Sequence, residues 1–489
     1  MISIETILAL YGLFGLIFVL FTIAAKTHKI MNLFAVALSA GFLVLALFSL
    51  TLTDIPSYTG GGSYFFMDHL GVYEVIISAA VFLAATVYAG GYIEGSIKMG
   101  EMDHGNLKLF YVALELLLVN ITFTFLANNL ALFWILAELT TAFSAILIVM
   151  LNAPKNIGAA LKYIFITSTC MLFSFIGLIL VFALTEHSMG IGTLNWSTLM
   201  TIASTLSPAI IFASFIFTFA GFAAKSGIVP FHAWLPTGYS KAPGPVSAIL
   251  SGSVSSVGIY GILRMYSVAS QTANVSKISL LLIAFGLLSM VVAALTMISQ
   301  VNLKKVIAYS SVESMGFLLV AIGIGTPLAV FWMLFYLLAH AFTKASLFLS
   351  AGIIRHQFNG VRMEQIKNSI KLQPLASWSL ILGGVAIIGM PLSALFIPKI
   401  GILIQSTQLS PLLTVGLLFI FLFVAAALGV FLMKILTRKE PGETKQYHAP
   451  LSMKVPIIAL LATVFVLGIY FPQQLSDLLS TIVMELGVR

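Results

Sequence analysis

Charge is what this sequence has least of. Of its 489 residues, 24 are Lys or Arg and 16 are Asp or Glu, 8% in all, where water-soluble domains carry about a quarter. So few charges cannot solvate the surface of a 52.6 kDa chain whose residues are 60% hydrophobic. A soluble enzyme is excluded, and an all-α polytopic membrane protein is expected. Cysteine is nearly absent. Cys170 stands alone in an apolar run, which rules out a disulfide framework within the chain and any Cys-based zinc or iron–sulfur site. The histidines show no metal-ligand spacing, and no Gly-Lys-Ser/Thr follows the Gly60–Gly62 run, so it is not a phosphate loop. No cofactor is expected. The first apolar stretch, from about Ile4 to Ala25, has neither a basic leader nor an Ala-x-Ala pattern, so a retained span is expected rather than a cleaved signal.

What is present is a succession of apolar runs, each near the roughly 20 residues that cross a bilayer. About fourteen can be marked, near 4–25, 30–52, 70–92, 107–126, 130–151, 159–184, 208–235, 243–267, 278–299, 303–324, 327–355, 374–403, 411–436 and 453–472. Basic residues test this count, because cytoplasmic loops collect Lys and Arg. With the N-terminus outside, the odd-numbered connections hold 18 of the 24, and the opposite side holds only Arg264, Lys277 and Arg489. A missed or invented span would destroy that asymmetry, so both termini are expected outside. The net charge of +8 is thereby a topology signal spread over short loops, and no nucleic-acid partner is expected.

Three lysines belong to no loop: Lys225, Lys344 and Lys399. An ionisable residue in mid-span costs about 2.5–3.5 kcal/mol to insert even on the lower scales, and is by default a functional hypothesis. Lys225 lies just before Gly227 and Pro230 in the seventh span, and Lys399 follows Gly389, Pro391 and Pro398 in the twelfth. Both spans are expected to be broken, the arrangement that marks ion sites in transporters. Lys344 follows His340 by one helical turn in the eleventh. Among the acids, Glu138 (fifth span) and Glu313 (tenth) are 175 residues apart, and Lys225 and Lys399 are 174 apart. Matching offsets across five spans suggest two inverted five-helix repeats, since an odd number of helices turns the second copy over. The prolines break the correspondence, because Pro230 follows its lysine whereas Pro391 and Pro398 precede theirs.

A lysine desolvated between helices holds its proton less firmly, and an approaching carboxylate restores it, so Glu138 beside Lys225 makes a proton switch. The eighth span adds Ser247, Ser251, Ser253, Ser255, Ser256 and Tyr260, and His340 and Lys344 continue toward Lys399. Plainer readings stand beside this one. Small hydroxyl residues also serve helix packing, Lys225 also fits a structural ion pair, and Glu313 is equally placed to pair with Lys304 or Lys305. Glu74 and Glu115 have no counterpart at the repeat offset and are expected to be structural or snorkelling. His232 fits a proton relay or a hydrogen-bonded residue at the helix break.

The stretches Lys225-Ser-Gly-Ile-Val-Pro-Phe-His-Ala-Trp-Leu-Pro236, Ala242-Pro-Gly-Pro-Val-Ser-Ala248, Ala308-Tyr-Ser-Ser-Val-Glu-Ser-Met-Gly316 and His340 to Lys344 together resemble the antiporter-like membrane subunits of respiratory complex I, Mrp-type cation/proton antiporters and group 4 energy-converting hydrogenases. The resemblance covers nearly the whole chain. Asn128-Asn129-Leu130 and Gly323-Ile-Gly325 look most like the hydrogenase-4 component F branch. It implies fourteen core helices, with an N-terminal three-helix segment (1–106), a first repeat of helices 4–8 (107–267), an inverted second repeat of helices 9–13 (278–436), and a last helix with a short tail (453–489). It marks Glu138 as the fifth-helix carboxylate, Lys225 as the lysine of the broken seventh, Lys344 as the basic residue of a broken eleventh and Lys399 as the end of the twelfth. Three departures are evident. Ser256, or Ser251, stands where relatives often carry a Lys or His in the eighth helix. Thr237, Tyr239 and Lys241 follow Pro236 in place of an acid and a histidine. The long lateral helix of the largest complex I relative is not expected.

The expected protein is a non-catalytic, proton- or sodium-translocating subunit of a redox-driven complex in the cell (inner) membrane, of the energy-converting hydrogenase or formate hydrogenlyase type. Its expected partners are other membrane subunits, through them a cytoplasmic-side redox module, and membrane lipid. The expected path comprises Glu138, Lys225, His232, Ser256, Glu313, His340, Lys344 and Lys399. A subunit of an Mrp-type antiporter, a complex I subunit, a charge-paired scaffold and an ordinary solute carrier are the alternatives, the last without support from any substrate-pocket chemistry.

Overall fold

The structure, a computed structural model, describes residues 4–52, 57–58, 63–151, 154–437 and 446–488. Asp54, the Gly60–Gly62 run, Arg438, Lys439, Lys445 and Arg489, together with the side chain of Lys155, lie outside the described residues. Thirteen helices are long and apolar enough to cross a membrane among those residues. The fourteenth expected span, the twelfth in order, is present as two half-helices, Pro374–Ile388 and Phe396–Leu409. The protein is therefore an all-α polytopic membrane protein, and its other spans begin and end close to the apolar limits read from sequence. The tenth, Leu303–Ile324, coincides with them.

Both expected breaks occur. In the seventh span the helix Pro208–Ser226 ends on Gly227, whose φ of 75° is left-handed, a conformation that costs glycine nothing. A short turn, Phe231–Trp234, and the helix Leu235–Lys241 complete the crossing. In the twelfth, Pro374–Ile388 ends on Gly389 at φ 89°. The eleventh span, by contrast, is one uninterrupted helix, Pro327–Phe358. This corrects the broken eleventh helix implied by family resemblance: no Pro follows Pro327 within it, and its first Gly is Gly352, so nothing interrupts its hydrogen-bond ladder around Lys344. The eighth span runs from Gly244 to Ala269 and contains a π-helical turn, Leu250–Val254.

Features at the start of the fifth and tenth spans recur 173 residues apart. Asn129 caps Leu130–Ile148 by accepting from the Ala131 and Leu132 amides, and Asn302 caps the tenth span by accepting from the Lys305 amide. Each asparagine also forms an antiparallel backbone bridge to the connection following the next span, Asn129 to Asn195 and Asn302 to Arg362.

Two basic residues assigned to loops are interior. Lys304 is 1% exposed and donates to the Ala242 carbonyl at 2.8 Å and the Ser247 hydroxyl at 3.2 Å. Arg264 lies inside the eighth span, paired with Asp68 at 2.7 Å, and its guanidinium is packed over Trp196 at 4.3 Å and Tyr260 at 4.7 Å. Asp68 also caps the third span, His69–Lys98, through the Gly71 amide. The expected short tail contains an amphipathic helix, Gln473–Glu485, fastened to the third span by His69 and Glu485 at 2.5 Å. A polar cavity of about 530 Å3 lies among Glu101, Lys241, Lys305, Arg355, Arg362 and Glu364, so the odd-numbered connections that contribute them share one face of the molecule.

Removing one member of a buried pair strands the other charge, at a cost of about 3–5 kcal/mol. Asp68→Ala is therefore expected to lower thermal stability in detergent strongly, and Asp68→Ala combined with Arg264→Met to recover much of it. Equal melting temperatures for Asp68→Ala and the unchanged protein are the contrary outcome.

Candidate functional site

The two breaks create the local chemistry. With no water in a bilayer core, backbone groups freed at a helix break must be paired inside the protein. At the seventh span Trp234 donates its indole N–H to the Ala224 carbonyl at 2.9 Å, and Ser289 of the ninth span accepts the Val229 amide at 3.0 Å. Lys225 occupies the last turn before this break, wholly buried. Its Nζ donates to the Ala137 carbonyl at 2.6 Å and the Thr141 hydroxyl at 2.5 Å, both on the fifth span. At the twelfth span the Ala394 amide is taken by the Val464 carbonyl at 2.9 Å. Lys399 lies in the first turn after the break and reaches back to the Ile387 carbonyl at 2.7 Å. The lysines thus sit on opposite sides of their breaks, which accounts for the mismatched prolines.

Glu138 lies one turn from Thr141 and is partly buried. It accepts from Ser168 at 2.8 Å, while its other oxygen has no partner. Among the described residues no carboxylate comes within 4.0 Å of Lys225, so the structural ion pair considered for Lys225 is not formed there. Glu313 does form one, to Lys399 at 3.9 Å, and this replaces the pairing with Lys304 or Lys305 considered from sequence. Lys399 also faces the Phe421 ring at 4.4 Å, a cation–π contact. Lys344 is fully buried and donates to the Ser310 hydroxyl at 2.5 Å.

The eighth span joins these groups. The Ser251 and Ser311 hydroxyls meet at 2.9 Å, and His340 lies beside the Ser251 backbone. Because Ser310 and Ser311 are neighbours on the tenth span, Ser251, His340, Lys344, Glu313 and Lys399 form one nearly continuous polar line. Ser255 and Ser256 return their hydrogens to the Ser251 and Ser253 carbonyls, the local bonds that serine makes in helices. Lys225 makes no direct bond to the eighth span. His232 is not brought in: half-buried after the break, its ring lies 6.3 Å from that of Tyr309, and its Nδ1 has no partner.

Sequence reading missed Thr141, Ser168 and Ser310 as partners of the charged groups, although Ser310 lies in the Ala308–Gly316 stretch that contains Glu313. Of the structural and snorkelling roles expected for Glu74 and Glu115, the structure does not place them as snorkelling side chains. Glu74 is 1% exposed and Glu115 0%, and Glu115 accepts from Thr22 at 2.7 Å.

Residues 127–424 match the family described as NADH:quinone oxidoreductase/Mrp antiporter, transmembrane. A hydrogenase-4 component F homolog of Methylacidiphilum infernorum is 28% identical over 439 residues, covering 88% of this chain and 90% of that one. Among solved structures, the archaeal membrane-bound sulfane sulfur reductase complex contains a chain of similar fold, with a TM-score of 0.86 at 21% identity over 98% of this chain and 96% of that one. The Mrp complex from Dietzia sp. DQ12-45-1b gives 0.84 at 18% identity, over 99% and 97%.

Double substitution tests whether Glu313 and Lys399 act on each other. Glu313→Gln, Lys399→Met and the double variant, compared by unfolding in mixed micelles, are expected to show a coupling of about 0.5–3 kcal/mol. Simple additivity is the opposite result.

Proposed function

Since the chain belongs to the NADH:quinone oxidoreductase/Mrp antiporter membrane family, we propose that it is the proton- or sodium-translocating subunit of a redox-driven membrane complex of the energy-converting hydrogenase type. The observation that carries this is the state of Lys225 and Lys344. Each is fully buried, and each is held by neutral oxygens of a neighbouring span instead of a carboxylate. An amine so held can gain or lose a proton without stranding a buried anion, which a fixed ion pair cannot do. Glu138, one turn from Thr141, is the input: movement of its charge by an adjacent subunit alters the hold of Lys225 on its proton. Ser251, Ser256, His340 and Lys344 carry the load across, and Glu313 with Lys399 forms the output. His232 lies at the margin of this path as a relay near the seventh-span break.

The working unit divides into a three-helix segment (1–106), two inverted repeats (107–267 and 278–436) and a last helix (453–489). The recurring Asn129 and Asn302 caps and their bridges support that division. Both termini face outside, and the cavity lined by Lys241, Lys305, Arg355 and Arg362 faces the cytoplasm, where a redox module docks through neighbouring subunits. With Cys170 replaced by serine, a cysteine at Lys241 is expected to be labelled only from the cytoplasmic side; labelling from outside reverses the orientation.

The similarity to the Dietzia Mrp chain favours a second reading, a cation/proton antiporter subunit driven by an ion gradient. Metal analysis of the complex isolated through a tag on this chain separates the two. Nickel with iron is expected; iron alone indicates a complex I-like machine; neither metal indicates the antiporter. In the assembled complex, Lys225→Ala and Lys399→Ala are each expected to reduce translocation at least tenfold, measured with a pH-sensitive dye in vesicles. Unchanged pumping in both leaves a scaffold.

A further inference from the structure

Around the π-helical turn of the eighth span lie several buried polar atoms with no partner among the described residues. Glu74 Oε2 approaches from the third span, Ser253 Oγ belongs to the turn, and His340 Nε2 approaches from the eleventh. All three residues are 1% exposed or less, and the third and eleventh spans both pack on the turn. A fourth such atom, Ser226 Oγ, adjoins Lys225 in sequence and faces Gly258 of the eighth span, two residues from Ser256. Buried polar atoms of native proteins are almost always hydrogen-bonded, and where protein supplies no partner an ordered water does. These atoms therefore outline a hydrated stretch across the gap between Lys225 and His340, the section where the eighth span offers serine and no base.

Glu74 is the titratable group in that stretch. Its carboxyl lies against the Ser256 hydroxyl, and that hydroxyl directs its hydrogen to the Ser253 carbonyl at 2.7 Å. Oriented so, Ser256 offers Glu74 a lone pair, which a protonated carboxyl can use; rotated, it offers its hydrogen to the carboxylate instead. The neighbouring Tyr73 hydroxyl is committed to the Leu334 carbonyl at 2.9 Å, which fixes this part of the third span against the eleventh. Arg264, whose charge acts on Glu74, bonds Asp68 and Tyr260 through Nη2, while its buried Nε and Nη1 have no partner among the described residues.

We propose that Glu74, from outside the two repeats, is the proton-carrying station that bridges Lys225 and His340 in place of a base on the eighth span. This rests on the translocation reading above. In the loading step an N–H bond of the Lys225 ammonium breaks and, through water, an O–H bond forms on the Glu74 carboxylate. In the unloading step that O–H breaks and the His340 imidazole gains an N–H, Ser256 turning between its two orientations.

The test uses the assembled complex in vesicles with Lys225→Ala run in parallel. Glu74→Gln is expected to reduce translocation at least tenfold, Glu74→Asp to retain part of it, and Glu74→Gln with Ser256→Lys to regain part. Wild-type pumping by Glu74→Gln beside an inactive Lys225→Ala overturns the station alone, whereas wild-type pumping by Lys225→Ala overturns the translocation reading. If Glu74→Gln does not assemble, infrared difference spectra of the unchanged complex and of Ser256→Ala decide. The station requires a protonated-carboxyl band that shifts when the Ser256 hydroxyl is removed, and an unshifted spectrum overturns it.

Discussion

Inside a bilayer an unpaired backbone amide or carbonyl has no solvent to turn to, and this constraint organises the interior of the protein. Two of its spans are interrupted, and each interruption is closed by side chains or carbonyls from elsewhere in the fold: Trp234 and Ser289 at the seventh span, Val464 and Lys399 at the twelfth. The π-helical turn of the eighth span is treated likewise, with the Tyr239 hydroxyl donating to the Leu250 carbonyl at 2.8 Å. Polar side chains are thus drawn into the core by the backbone itself.

The two halves use this arrangement differently. In the first, the Glu138 carboxylate is held by Ser168 of the sixth span and the lysine by a carbonyl and a hydroxyl of the fifth, so the two charges are unjoined. In the second, Glu313 and Lys399 face each other within the interior, and Lys344 stands beside them on Ser310. A relationship of sequence offset has become a difference of state: one half holds its charges apart and the other holds them together.

Much of the fold was legible because membrane crossing is written in runs of apolar residues and in the few places where Gly, Pro or charge interrupts them. Gly227 and Gly389 marked both breaks, and the intramembrane lysines identified themselves by being expensive. What could not be read was partnership. The sequence around Lys304 looks like a loop end, because nothing local reveals that Ala242 and Ser247 receive its ammonium group. Arg264 was taken for a loop charge because its partner, Asp68, is 196 residues away. The broken eleventh helix expected from resemblance fails for a local reason, the lack of any breaker near Lys344. Glu74 carries no sequence signal beyond its charge, because no acid stands at the offset that relates Glu138 to Glu313.

Lys399 holds one further consequence. Its amine both faces Glu313 and caps the Ile387 carbonyl at the end of the preceding half-helix, where the helix dipole concentrates negative charge. Drawing the amine away leaves that carbonyl unsatisfied, at a cost of about 1–3 kcal/mol. The half-helix therefore senses the position of the charge as mechanical slack. A displacement of this amine therefore alters its pairing with Glu313 and the closure of the half-helix end together.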